Sequence, residues 1–435
     1  MMLGGGTFTT QNKVLPGAYI NFVSVARASA TLSDRGICAI PMELNWGMDG
    51  EVFTVENSDF EKNSLKILGY SYDADEVLNI REVFKHARTL HVYRLNSGEK
   101  ATNTYATAKY SGTRGNDIKI VIQANADDEN QFDVITYLGA SKVDTQTVSV
   151  SNELVANDYI MFKTGATLEA TAGIALSGGT NLATLTGTQY QDALDKLESY
   201  SFNTLGCVST TDTIKALFVA YTKRMRDEAG VKFQTVIYNY GADYEGVINV
   251  KNKITEAGMP EQNIVYWTVG AQAGCAVNKS NTNITYDGEY TVDVNYKQSE
   301  LEAAILAGEF VFHKVGVEVR VLEDINSFVT FVSDKNSDFS LNQVIRILDQ
   351  IGNDIAVLFN TRYLGKIQNN EAGRVSFWND MVVYNKELET LNAIEGFEST
   401  DVTVKAGNDK RSVVVTNAVQ PVAAMEKLYM TVMAS

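Results

Sequence analysis

Val402-Thr403-Val404-Lys405, Ala406-Gly407-Asn408-Asp409-Lys410 and Ser412-Val413-Val414-Val415-Thr416, near the end of a 435-residue chain, decide how the remainder is read. Period-two alternation on either side of a Gly-Asn-Asp cluster is the pattern of strand, turn and strand. Val402, Val404, Val413 and Val415 are its apolar positions. After Pro421 the alternation resumes, with Leu428, Met430 and Val432 on one face and Lys427, Tyr429 and Thr431 on the other. A helix is the rival reading of this last segment, since residues 423–428 are good helix formers. The β-branched end would break the polar face of such a helix, so a strand is expected.

An isolated hairpin is marginal in water, and its outer edges carry unpaired N–H and C=O groups. These strands therefore need a host sheet, in this chain or in a neighbouring copy by strand addition. The beginning of the chain poses the same question. Gly4, Gly5 and Gly6 precede Thr7, Phe8 and Thr9, and residues 1–16 fully extended reach roughly 50 Å. Both ends could instead fold back on their own domain, the commoner outcome on composition alone.

Length and composition fit two or more domains with substantial cores: 45% of residues are hydrophobic and 21% charged. A net charge of −16 argues against a nucleic-acid or anionic-membrane partner, because no basic excess is available to neutralise phosphates. Cys38, Cys207 and Cys275 are far apart in apolar surroundings and read as reduced, buried thiols. No secretion signal and no apolar run of membrane-spanning length is visible, so a soluble, cytoplasmically made protein is expected.

From residue 18 the spacing predicts an α/β opening: strands at 18–23 and 36–40, helices at 60–68 and 76–87 with Asp75 as a cap, and a strand at 89–95. Between about 96 and 182 every element reads as a short strand, at 106–110, 118–123, 132–138, 147–150 and 159–162. That is an all-β domain inserted into the α/β one. Helix and strand then alternate: helices at 189–198, 212–229 and 299–307, and strands at 205–208, 233–238 and 264–269. This alternation implies a mainly parallel sheet. A hairpin around Gly316 and helices at about 341–363 and 371–394 lead to the terminal strands. The expected fold is an α/β core with a mainly parallel sheet, an inserted β-rich domain and extended terminal β arms. Its divisions are 1–17, 18–96, 97–182, 183–396 and 397–435.

Catalytic constellations are missing from this layout. His86, His91 and His313 show no metal-ligand spacing, and a structural role is expected for each. No G-x-S-x-G elbow occurs. Gly112-Thr113-Arg114-Gly115-Asn116 reads as a hairpin turn. Gly270-Ala271-Gln272-Ala273-Gly274, following the strand expected to end at Val269, is the best anion-site candidate, although close helix–sheet packing by small residues is the commoner use of such a run. An α/β enzyme with a ligand site after Val269 is thus the alternative reading. Asp127-Asp128 and Glu323-Asp324 are ordinary solvated pairs before they are metal ligands. No catalytic, cofactor or metal residue is assigned.

Several stretches together resemble the tail-sheath proteins of contractile phage tails and R-type bacteriocins, particularly those of Gram-positive bacteria. They are Pro16-Gly17-Ala18-Tyr19-Ile20-Asn21-Phe22; Arg35-Gly36-Ile37-Cys38-Ala39-Ile40-Pro41, ending at Trp46-Gly47; Tyr110-Ser111-Gly112-Thr113-Arg114-Gly115-Asn116; Glu323-Asp324-Ile325-Asn326-Ser327; and residues 419–432, from Val419-Gln420-Pro421 to Tyr429-Met430-Thr431-Val432. The resemblance implies a core domain facing an inner tail tube, a β-rich domain projecting outward, and arms interlocked with neighbouring copies. It implies a helical contractile sleeve whose shortening pushes the tube through a bacterial envelope. The partners implied are the chain itself, the inner tube protein, the baseplate, and terminator or collar proteins, with no nucleic acid, no membrane insertion and no cofactor. The implied location is a virion tail or bacteriocin particle, assembled in the cytoplasm and released by lysis. Strand exchange between copies is expected at Thr7, Phe8, Thr9, Val402, Val404, Val413, Val415, Leu428, Met430 and Val432.

Overall fold

The computed structural model describes residues 32–434. The expected strand at 18–23 and the segment Thr7, Phe8 and Thr9 lie outside the described residues. The chain forms two compact units, one containing residues 33–353, 387–397 and 419–434, the other residues 354–386 and 398–418.

The larger unit opens with β1 (Ile37–Met42), β2 (Val52–Glu56), α1 (Asn57–Leu68), α2 (Leu78–Phe84) and β3 (Thr89–Arg94). Asp75 does not cap the second helix. It lies in the first turn of a 3-10 segment, Asp75–Val77, whose N-cap is Ala74, and no side-chain capping bond forms there. The β-rich segment follows as β4 (Ala106–Ala108), β5 (Ile118–Ala124), β6 (Phe132–Leu138), β7 (Ser141–Val148), β8 (Ile160–Phe162) and β9 (Thr171–Ala175). The chain then returns with α3 (Gly187–Leu197), β10 (Thr204–Cys207), α4 (Asp212–Lys223), β11 (Gln234–Tyr238), β12 (Val247–Val250), α5 (Ile264–Gly274), α6 (Gln298–Leu306), β13 (Glu309–Phe310), β14 (Phe312–Val315) and β15 (Glu318–Val321). The last elements are α7 (Asn342–Leu358), α8 (Glu371–Thr390), β16 (Val402–Ala406) and β17 (Val413–Asn417).

Seven strands form the central sheet in the order β13-β12-β11-β10-β1-β3-β2, parallel throughout except for β2 against β3. Alternation along β1 divides its side chains between two cores. Cys38, Ile40 and Met42 pack with α1, α2 and α5, while Ala39 packs with α3 and α4. A parallel sheet covered on both faces reads as nearly continuous apolar runs, as the sequence of β10 to β12 does.

Residues 264–269 are the first turns of α5, not a strand. Ile264 to Ala273 are all buried. A helix apolar on every side carries no 3.6-residue period, so in sequence it cannot be told from a buried strand. The first strand of the hairpin expected around Gly316, residues 310–315, also divides: Phe310 joins the parallel sheet, and the hairpin begins at Phe312.

The inserted segment has a four-stranded sheet, β7-β6-β5-β9, and the pair β4-β8, closed over Ile118, Ile120, Ile122, Val134 and Ile160. Gly112 to Asn116 is no hairpin turn. It runs into a 3-10 turn, Thr113–Asp117, pressed against the α/β body. Gly112 has φ +118°, and a Cβ there would lie 2.2 Å from the Asn45 carbonyl oxygen, so only glycine fits. Arg94, fully buried, sits at this junction. It donates to the carbonyls of Gly47 and Ser111 (3.3 and 2.7 Å), to Asp49 Oδ1 (3.1 Å) and to Asn181 Oδ1 (3.1 Å). It thereby ties together both chain crossings into the β-rich segment.

Candidate assembly surface

In the smaller unit, β16 and β17 pair antiparallel with Val402 opposite Asn417, Val404 opposite Val415 and Ala406 opposite Val413. The ladder's phase follows from its ends. Ala418 N–H donates to the Asp401 carbonyl at 3.0 Å, and Gly407 N–H to the Ser412 carbonyl at 2.9 Å. The mutually bonded pairs are therefore 401/418, 403/416, 405/414 and 407/412. It follows that the backbone groups of Val402, Val404, Val413, Val415 and Asn417 point away from the ladder, toward the outer edges. Among the described residues one of these groups is used: Trp378 Nε1 on α8 donates to the Val402 carbonyl at 2.9 Å. The Val413 and Val415 amides have no partner among the described residues. The turn is fixed by Asn369 Nδ2, which donates to the Ser412 and Lys410 carbonyls at 2.8 and 3.1 Å.

Beside the β17 edge lies a cavity of about 100 Å³ lined chiefly by Phe359, Tyr363, Ile367, Phe377 and Val413. Tyr363 donates to Asp380, and burial together with that contact pushes its hydroxyl up to about 12. It stays protonated and fixed in the wall.

In the larger unit, the chain after the hairpin is pinned at successive points. Val422 N–H donates to Ala393 O at 2.9 Å, Ala424 N–H to Gln343 Oε1 at 3.0 Å, and Thr282 Oγ1 to Glu426 Oε1 at 2.6 Å. Burial first, and the neighbouring Glu426 second, raise the Glu323 carboxyl above its ordinary range. Beyond this anchor neither strand nor helix forms, and Leu428, Met430 and Val432 are 72–85% exposed. These apolar side chains, with Met425, Tyr429 and Met433, are left exposed on a segment without regular secondary structure.

Of the residues singled out from sequence, Val402, Val404, Val413 and Val415 thus meet on one hairpin, and Leu428, Met430 and Val432 are exposed on a segment that forms no strand. Trp378, Asn369 and Thr282, which hold these pieces, carry no local pattern that would have marked them.

The rival ligand site after Val269 has no loop to form it. Gly270 and Gly274 are turns of α5 facing α2, where a Cβ would lie 2.2 Å from Val83 O and 2.1 Å from His86 O. The glycines serve backbone contact between two helices. The histidines are occupied structurally: His86 Nε2 lies 3.0 Å from Asp287, His91 Nδ1 2.9 Å from Thr54 Oγ1, and His313 opposite Arg320 on the β14–β15 hairpin. Burial raises all three thiols, that of Cys207 to about 12.

Comparison with known proteins covers nearly the whole chain. Residues 35–95 match the tail sheath protein Gp18 domain III N-terminal region, 96–181 the phage tail sheath protein beta-sandwich domain, 183–327 the phage tail sheath protein central domain and 334–435 the phage tail sheath C-terminal domain. Phage-like element PBSX protein XkdK of Bacillus subtilis is 37% identical over 467 residues, covering 99% of both chains. The crystal structure of a sheath tail protein from Desulfitobacterium hafniense is 39% identical, with a TM-score of 0.83 over 95% of this chain and 99% of that one. The anti-feeding prophage helical sheath in its contracted state shares the fold at 10% identity, with a TM-score of 0.58 over 96% and 98% of the two chains.

Proposed function

The chain belongs to the phage tail sheath protein family, and from that premise we propose that many copies polymerise into a helical sleeve around an inner tail tube, whose shortening drives the tube through a bacterial envelope. The observation that carries this reading is the pairing of two incomplete features: a β17 edge whose outward amides at Val413 and Val415 have no partner among the described residues, and exposed apolar side chains at Leu428, Met430 and Val432. Each supplies what the other lacks. In the proposed assembly, residues 425–432 of one copy add to β17 of the next and turn alternate side chains toward the Phe359–Phe377 cavity. Thr7, Phe8 and Thr9 of another copy take the β16 edge at Val404.

Main-chain ladders tolerate changes in the side-chain contacts around them, so copies joined this way stay tethered while domain faces re-pack. Head-to-tail contacts whose rotation does not close generate a helix. A few kcal/mol per copy, the scale of one domain's own stability, becomes large work when many copies fire together. The long form is then held by a barrier.

In this reading residues 97–182 project outward, 18–96 and 183–396 form the core, and 1–17 and 397–435 are the arms. The further partners are the tube, baseplate and terminator or collar proteins. The particle is a virion tail or bacteriocin, assembled in the cytoplasm and released by lysis, and the chain has no catalytic role. Deleting residues 422–435 tests the proposal. Negative-stain microscopy should find tubes from the full chain and only discrete folded particles from the truncated one; tubes from both would overturn it.

A further inference from the structure

A second feature, independent of the assembly reading, lies where the chain enters β1. Four cationic side chains crowd there: Arg35, Arg226, Lys232 and Arg346. Two are paired within the larger unit. Arg226 makes a two-pronged contact with Asp349 at 2.6 and 2.8 Å, and Arg346 Nη2 donates to Asp324 Oδ2 at 3.1 Å. Asp324 is already surrounded, since it also accepts from Gln272 Nε2, the Asn281 amide and Asn342 Nδ2 at 2.6–2.9 Å.

Arg35 and Lys232 are left over. Arg35 meets only neutral acceptors, the Cys275 and Gln272 carbonyls at 2.8 and 3.0 Å, and Lys232 donates to the Arg226 carbonyl. Neither has a carboxylate partner among the described residues. Arg346, 2% exposed, also keeps its Nε–H without a partner among the described residues. The Asn203 oxygen accepts from the Gly36 and Ile37 amides, which leaves its NH2 as a further donor. Arg35, Lys232, Arg346 and Asn203 all line one cavity of about 20 Å³, room for a single water-sized occupant and too small for a tetrahedral oxyanion; Asp349, already held by Arg226, is the one carboxylate in its wall.

We propose that this chamber binds one small monovalent anion of the halide class, held by Arg35, Lys232 and Arg346 with Asn203 as an additional donor. Cation excess in a confined, largely buried space is stabilised by a counter-charge. Burial, reinforced by the charge of Arg346, holds Arg35 down to about 9, an effect that the nearby Asp349 and Asp324 carboxylates only partly offset. Cys275 does not supply it. Burial raises that thiol, and its sulfur donates to the Lys279 carbonyl at 3.4 Å as the protonated form does. A bound halide would knit the start of β1 to the end of α5 and to α7.

The test compares sodium chloride with sodium gluconate at equal ionic strength on the full chain. Because the anion binds the folded state, the melting temperature should rise by about 1–3 °C and saturate with chloride. Gluconate should give no such rise, and Arg35→Met should abolish the response. Equal behaviour in the two salts would overturn the site. Should Arg35→Met fail to fold, bromide-soaked crystals of the natural chain decide: an anomalous peak between Arg35 and Arg346 supports the proposal, and its absence means the chamber holds water only.

Discussion

Substituting Val415→Pro and, separately, Val414→Pro separates the hairpin's own stability from its capacity to accept another strand. The two residues are adjacent, but the ladder phase set by the 401/418 and 407/412 bonds turns their amides in opposite directions. Val414 N–H points inward to Lys405, so proline there removes a ladder bond and places its ring in the partner strand. That should destabilise the smaller unit by about 2–3 kcal/mol. Val415 N–H points to the open edge, so proline there leaves the 403/416 and 405/414 pairs intact. Folding should change by less than about 1 kcal/mol. An incoming strand, however, loses one backbone bond and meets the ring, a penalty of about 1–2 kcal/mol per contact, or about a five- to thirtyfold rise in the concentration needed for polymerisation. Thermal melts measure the first quantity and sedimentation across a concentration series the second. Val415→Pro polymerising at the natural concentration would refute the assignment of β17 as the receiving edge. Equal melting of the two variants would refute the ladder phase.

Three other substitutions probe the rest of the account. Arg94→Met should lower stability by about 3–5 kcal/mol, because it strands Asp49 and the Gly47 and Ser111 carbonyls in a buried junction; hydrogen exchange should rise first around 96–99 and 179–182, and unchanged exchange there would contradict the clamp. Glu323 carries a carboxyl raised by burial and then by Glu426, so its contribution to holding the tail is complete below the ordinary carboxylate range and lost as pH rises through the raised value. Protection of the Ala424 amide, corrected for intrinsic exchange, should therefore fall as pH rises above the ordinary carboxylate range, and Glu323→Gln should flatten the profile; a flat profile in the natural chain rejects this. Gly270→Ala should destabilise by about 1–3 kcal/mol, since its Cβ meets Val83 O at 2.2 Å, and nucleotides should not raise its melting temperature or that of the natural chain.

The alternating segments were legible because a half-exposed strand displays its period, and the terminal hairpin from Val402 to Asn417 was read from Gly407-Asn408-Asp409 and the valines alone. Helix α5 was not, because burial on all sides erased the period at Ile264 to Ala273. β2 (Val52–Glu56) and β12 (Val247–Val250) were not read from the sequence. The contacts that set the surface are long-range. Nothing near Arg94 points to Asn181, nothing near Thr282 points to Glu426, and the outward turn of the Val415 amide depends on register, which alternation leaves open by one residue.

The most direct test is a helical reconstruction, at side-chain resolution, of the polymer formed by the full chain. It should contain an inter-chain ladder in which the Val413 and Val415 amides are bonded to residues 425–432 of an adjacent copy, with Leu428 or Met430 in the Phe359–Phe377 cavity. A bare β17 edge, or one covered by the same molecule's own ends, would contradict the account.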